Sequence, residues 1–166
     1  VCGQDVAAWR FKIFDDAADI AETYPITDKT LEAGDIVTFS DITALAREPS
    51  KNFIYYPVAT LKRASNVTTP PVGIISTNPS LINPSPILNP EEEPVPLRPV
   101  ALSGRVPVKI STESGHIKIG DRITSSSLPG VGMKATTSGQ TVGIALEPFD
   151  GSTATTSASV NGQEVK

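Results

Sequence analysis

The chain predicts a mainly β fold, a compact β-barrel or sandwich built from two related β units with a long Pro-rich loop and little helix. Three observations carry that expectation. The 166 residues hold 15 Pro beside 12 Gly, a density of helix breakers that suits short strands and turns. Several stretches alternate apolar and polar residues with the period of a half-buried strand. Two sequence words also recur. LEAGDIVT at 31–38 returns as IKIGDRIT at 117–124, and VGII at 72–75 returns as VGIA at 142–145. Each half therefore reads as a Gly-Asp turn, a strand, an excursion and a Val-Gly-Ile strand.

The elements follow in order. Residues 1–30 comprise an N-terminal strand and an acidic linker: Trp9, Phe11 and Ile13 alternate with Arg10 and Lys12, which predicts a strand with one buried face. Asp15 to Glu22 is acidic and Ala-rich. It predicts one or two helical turns ending before Tyr24-Pro25, because the residue before Pro is pushed out of the helical region. The first β unit spans 31–77, with strands over Ile36–Phe39 and Asn52–Lys62 rich in β-branched and aromatic residues. Gly34 and Gly120 suit a turn that needs positive φ, and Asp35 and Asp121 are placed to bond backbone N–H groups just ahead of them. Proline density peaks between Thr69 and Pro99, with Asn-Pro at 78, 83 and 89, so 78–99 is expected to run extended over a surface or project as a contact arm. The second β unit spans 100–150, and 151–166 reads as a flexible Ser/Thr-rich hairpin or tail.

Composition narrows the function classes. The length is that of one domain. Apolar residues make up 39% and aromatics 5%, so the core must come mostly from Val, Ile, Leu and Ala. A net charge of −4 lacks the basic footprint of a nucleic-acid binder. Cys2 is the single cysteine and His116 the single histidine, which leaves no intrachain disulfide and no thiolate or histidine metal cluster. The run Glu91-Glu92-Glu93 reads as a solvated charge run, and neither a metal nor a cofactor is expected. No apolar run is long enough for membrane insertion, and Val1 to Arg10 lack the order of a signal peptide. A start without Met and an end in strand-like sequence suggest a piece of a longer polypeptide.

Chemistry is sparse. His116 lies in the polar turn ESGHIKIG, Ser125-Ser126-Ser127 reads as a loop, and the glycines from 130 to 143 precede no helix that would hold a phosphate. Asn66-Val67-Thr68 fits a glycosylation acceptor, a common tripeptide. One carboxylate pair stands out. Asp19 and Glu22, three apart in a helical turn, would share a face and a proton, raising one pKa and leaving the other group as a base. The same residues read equally as a solvated acidic turn. A carbohydrate-binding adhesin would need aromatic faces in a concave patch, whereas Tyr55 and Tyr56, adjacent on a strand, point to opposite faces.

The blocks Asp19-Ile20-Ala21-Glu22-Thr23-Tyr24, Gly34-Asp35-Ile36-Val37, Val72-Gly73-Ile74-Ile75-Ser76-Thr77-Asn78-Pro79-Ser80 and the stretch from Pro99 to Val108 resemble, in that order, the autoproteolytic intramolecular-chaperone domain of phage tail appendages and fibres. Related domains end bacterial surface proteins. The second half, with GDRIT, GVGMKAT and VGIALE, also looks like small β-barrel capsid-decoration proteins. The resemblance implies a domain that trimerises, helps an upstream fibre fold and is released by cleavage of its own chain. It implies Asp19 and Glu22 as the acid–base pair and Ala18-Asp19 as the scissile bond. The expectation is thus a structural or assembly domain of a fibre-like protein, extracellular, on a cell surface or in a virion. Its partner would be other copies of itself, as a trimer or a filament contact through strand edges and the 78–99 arm. A self-cleaving chaperone and an adhesin are the alternatives.

Overall fold

A computed structural model describes residues 19–47, 54–66, 68–83, 85–90 and 94–152, and the backbone of 158–160 and 163–165. The strand expected around Trp9 to Ile13, Ala18 and the Glu91–Glu93 run lie outside the described residues. Eleven strands are present among them: β1 Asp19–Pro25, β2 Ile36–Arg47, β3 Tyr55–Arg63, β4 Gly73–Ile75, β5 Leu81–Asn83, β6 Leu97–Gly104, β7 Arg122–Ser125, β8 Gly132–Lys134, β9 Gly143–Ile144, β10 Ala158–Val160 and β11 Gln163–Val165. They form a six-stranded sheet in the order β3-β2-β4-β6-β1-β5, a three-stranded sheet β8-β7-β9 and the β10-β11 hairpin. The mainly β expectation holds, as a sandwich rather than a barrel. β1 returns to β3 through a single parallel bridge between Ile26 and Leu61 and no ladder.

The repeated words fold alike, bond for bond. Gly34 and Gly120 have φ of 85° and 88°, a region that costs a side chain and not glycine. Asp35 Oδ2 accepts from the Glu32 N–H at 2.8 Å, and Asp121 Oδ2 from the Lys118 N–H at 2.8 Å. The Gly34 N–H donates to Ile75 O and the Gly120 N–H to Ala145 O, each at 2.9 Å. The Val72 and Val142 N–H groups donate to Val37 O and Ile123 O, each at 2.8 Å. Even the hydroxyls correspond: Thr38 Oγ1 donates to Pro70 O and Thr124 Oγ1 to Gln140 O. Opposite each turn stands a cation on the neighbouring strand. Arg63 meets Asp35 Oδ2 and Lys134 meets Asp121 Oδ2, both at 2.9 Å.

The two units dock where the first turn is buried. Ile36 N–H donates to Gly130 O, Gly130 N–H to Ala64 O, and Lys109 N–H to Gly34 O. Lys109 Nζ adds an ion pair to Asp35 Oδ1 at 2.7 Å. On one face of the central strands Val37 and Ile75 join Ile26, Leu31, Leu61 and Val100 in a core. On the other face Ile36, Ala64 and Ile74 pack with Val106, Val108 and Val142. Adjacent residues of one strand thus feed both cores, as the two-residue period requires.

Three expectations are corrected. The Asp15–Glu22 helical turns are not formed over the described part, since Asp19–Pro25 is strand β1 between β5 and β6. Its pairing with Leu97–Gly104, distant in sequence, outweighs the local preference of an Ala-rich stretch. The 78–99 segment does not project along its whole length. Residues 81–83 pair with β1, Leu88 bridges Ala46, and Leu97 to Pro99 belong to β6. Ser125 ends strand β7, and it and Ser126 are buried rather than looped out.

Burial separates the two turns energetically. Asp35 is 1% exposed, whereas the side chain of Asp121 is 22% exposed. Removing one partner of a buried ion pair costs about 3–5 kcal/mol because the other charges stay desolvated. Asp35→Ala is therefore expected to lose roughly that much in urea unfolding, and Asp121→Ala distinctly less. Equal losses would contradict the assignment of the first turn as the joint.

Candidate functional site

Strand alternation places the two candidate carboxylates apart. Asp19 and Ala21 face inward from β1, while Ile20, Glu22 and Tyr24 take the other side. Three residues of strand span roughly 10 Å, so Asp19 and Glu22 do not form the face-sharing pair a helical turn would have made. The Asp19 carboxyl is instead buried, 1% exposed, and neither oxygen has a hydrogen-bond partner. Burial pushes its pKa up. Ser76 stands near enough to offset part of that rise, yet its hydroxyl also lacks hydrogen-bond geometry to any partner. The Asp19 carbonyl accepts from the Ser80 N–H at 2.9 Å. The D-x-A-E word and the word GIISTNPS therefore meet in space. Ser76 is the neighbour that residue spacing could not find, since β4 reaches β1 only across β6.

Glu22 belongs to a different feature. Its Oε2 accepts from the Tyr24 hydroxyl at 2.9 Å, and burial, that hydrogen bond and the Glu22 charge together push the phenol up to about 12. Both line a cleft of about 510 Å³ with Arg47, Tyr56 and Ile87. Arg47 Nε is buried there with no hydrogen-bond partner. Tyr56 and Tyr24 reach this cleft from separate strands, so the aromatic lining that adjacent Tyr55 and Tyr56 could not supply comes from distant positions. Residues 24, 47, 56 and 87 share no motif, and no linear signal pointed to their convergence. His116 is exposed. Among the described residues no three of His, Cys, Asp and Glu converge to hold a metal.

No family model, curated protein or solved structure matches the chain.

The orphaned Asp19 carboxyl makes a pH prediction. A carboxyl whose folded pKa lies above its ordinary 3.8 favours the fold fully below that ordinary value and loses this as pH rises through the folded pKa. Asp19→Asn is expected to raise Tm at neutral pH, with the gain vanishing below pH 3.8. A lower Tm at neutral pH would mean that the carboxylate is paired in solution.

Proposed function

We propose that this is a structural, self-assembling β module of a fibre-like surface protein, whose partner is a second copy of the same chain. The observation that carries the reading is the edge strand β5. All three of its residues are exposed, with Leu81 at 56% and Ile82 at 51%. Ile20, the register partner of Leu81, and Leu102, left unpaired by the bulge beside it, are exposed as well. An apolar strand with one open side is a template for pairing with another chain, and single-chain proteins ordinarily blunt such edges with charge. The second sheet repeats the pattern, with Ile119, Ile144 and Leu146 exposed at and beside edge strand β9.

A second reading, self-cleavage beside Asp19, is favoured by the buried, unpartnered carboxyl. A carboxyl with a raised pKa keeps its proton to higher pH and is suited to general-acid work. Hydrolysis would add one water across the Ala18-Asp19 bond, leaving a carboxyl on Ala18 and a free amine on Asp19, which takes its proton from a carboxyl such as Asp19's own.

Sedimentation velocity on the full chain tests the first reading. The chain is expected to sediment as a homo-oligomer at micromolar concentration. Leu81→Lys is expected to weaken association by about tenfold or more, since one buried Leu is worth ~1.5–3 kcal/mol, while leaving Tm unchanged. A monomeric wild type would overturn it. Intact mass of the same samples tests the second: cleavage at Ala18-Asp19 that Asp19→Asn slows by ~10²–10⁴ supports it, and a mass unchanged over days removes it.

A further inference from the structure

The cleft beside Glu22 is a separate feature from the apolar edges. A bridge between Ile26 and Leu61 joins the ends of β1 and β3. Upstream of it, Glu22–Pro25 and Tyr56–Ala59 form two walls, and Ser85–Ile87 closes a third side. The volume of about 510 Å³ lies within the range of small-ligand sites, which combine an apolar lining with a few polar anchors.

Its chemistry is unbalanced in one particular way. Arg47 has an Nε that is buried and unbonded, and a guanidinium donor withdrawn from water without an acceptor is costly. The nearby carboxylate does not answer it, since Glu22 Oε2 is taken by the Tyr24 hydroxyl. What the cleft lacks is an anionic acceptor of planar shape, which a carboxylate supplies. Glu22 in turn offers acceptor capacity to hydroxyl groups. Tyr24, Tyr56 and Ile87 offer apolar surface. An extended peptide would draw on main-chain donors along the walls, and the walls are poor in them. Pro25 sits on one, Pro57 interrupts β3 between Tyr56 and Val58, and Pro86 lies in the closing loop. None of the three has an N–H to give. Recognition here falls to side chains.

We infer that the cleft binds an acidic sugar unit of the uronic acid class, with its carboxylate on the Arg47 guanidinium, its hydroxyls toward Glu22 and its ring against the tyrosines. The inference is independent of the assembly reading, because none of these groups lies on β5 or β9.

Titration of the full-length chain with oligogalacturonate, followed by calorimetry and by amide NMR shifts, tests it. Binding is expected, with shifts confined to residues around Glu22–Pro25, Arg47, Tyr56–Ala59 and Ile87, and affinity falling as salt rises. Arg47→Gln is expected to weaken binding at least about tenfold, and the carboxyl-reduced oligosaccharide to bind no better than that variant binds the acid. Should Arg47→Gln fail to fold, the shift map of the wild type and the reduced sugar still decide. No binding at millimolar sugar, shifts elsewhere on the surface, or equal binding of acid and reduced sugar would each overturn the inference. Tighter binding of a short peptide through its free C-terminal carboxylate would overturn the sugar assignment.

Discussion

The structure turns on one buried carboxylate. Asp35 is closed off from solvent yet meets three donors of its own and the neighbouring strands: the Glu32 N–H, the Arg63 guanidinium and the Lys109 ammonium. A desolvated charge is tolerated only when its lone pairs are answered in this way. The turn fixes where β2 begins, Arg63 ties in the end of β3, and Lys109 comes from the segment leading into the second sheet. Gly130 completes the joint. A Cβ there would lie 2.9 Å from Asp35 Oδ1, and φ of 78° already disfavours a side chain. Position 130 must stay small for the two units to close.

Around that joint the same plan is used twice with different outcomes. In each unit a Gly-Asp turn feeds a strand, a cation from the next strand answers the Asp, and a Val-Gly-Ile strand returns to bond the turn. In the first unit the turn is covered and both faces of Ile36-Val37 are buried. In the second, Asp121 is partly exposed, and its carboxyl is held below the ordinary range by the Lys118 N–H and then by Lys134. The returning strand there leaves Ile144 in solvent. The first unit thus serves as core, while the second covers one face of it and keeps an apolar edge free. Such an arrangement suits a module that finishes burying its surface against another copy.

Much of this was legible in the sequence because it is local. Positive φ at glycine, side-chain bonding by Asp and two-residue alternation act within a few residues, so the paired turns and the strands over Ile36–Phe39 and Tyr55–Lys62 could be read directly. What was missed depends on contacts far along the chain. The Ala-rich acidic stretch carries local helical signals, but β6 supplies a strand partner and the backbone follows it. The Pro-rich segment was expected to lie off the sheet, yet a three-residue strand and one bridge need few N–H donors, so Leu81–Asn83 and Leu88 fit between prolines. The candidate site was legible in part: Asp19 proved chemically unusual, although its neighbour is Ser76 and not Glu22. The cleft left no trace, as Tyr24, Arg47, Tyr56 and Ile87 converge only once the sheet has curled.

Native-state hydrogen exchange at individual amides tests most directly whether the two units are one cooperative structure held at Asp35. The Gly130 and Lys109 amides, which bond across the joint, should exchange with the same free energy as Ile75 and Val72 inside the first unit, all through global unfolding. If Gly130, Lys109 and Gly132 instead exchange together at a much lower free energy, the second unit opens on its own, and the buried carboxylate is not what holds the fold together.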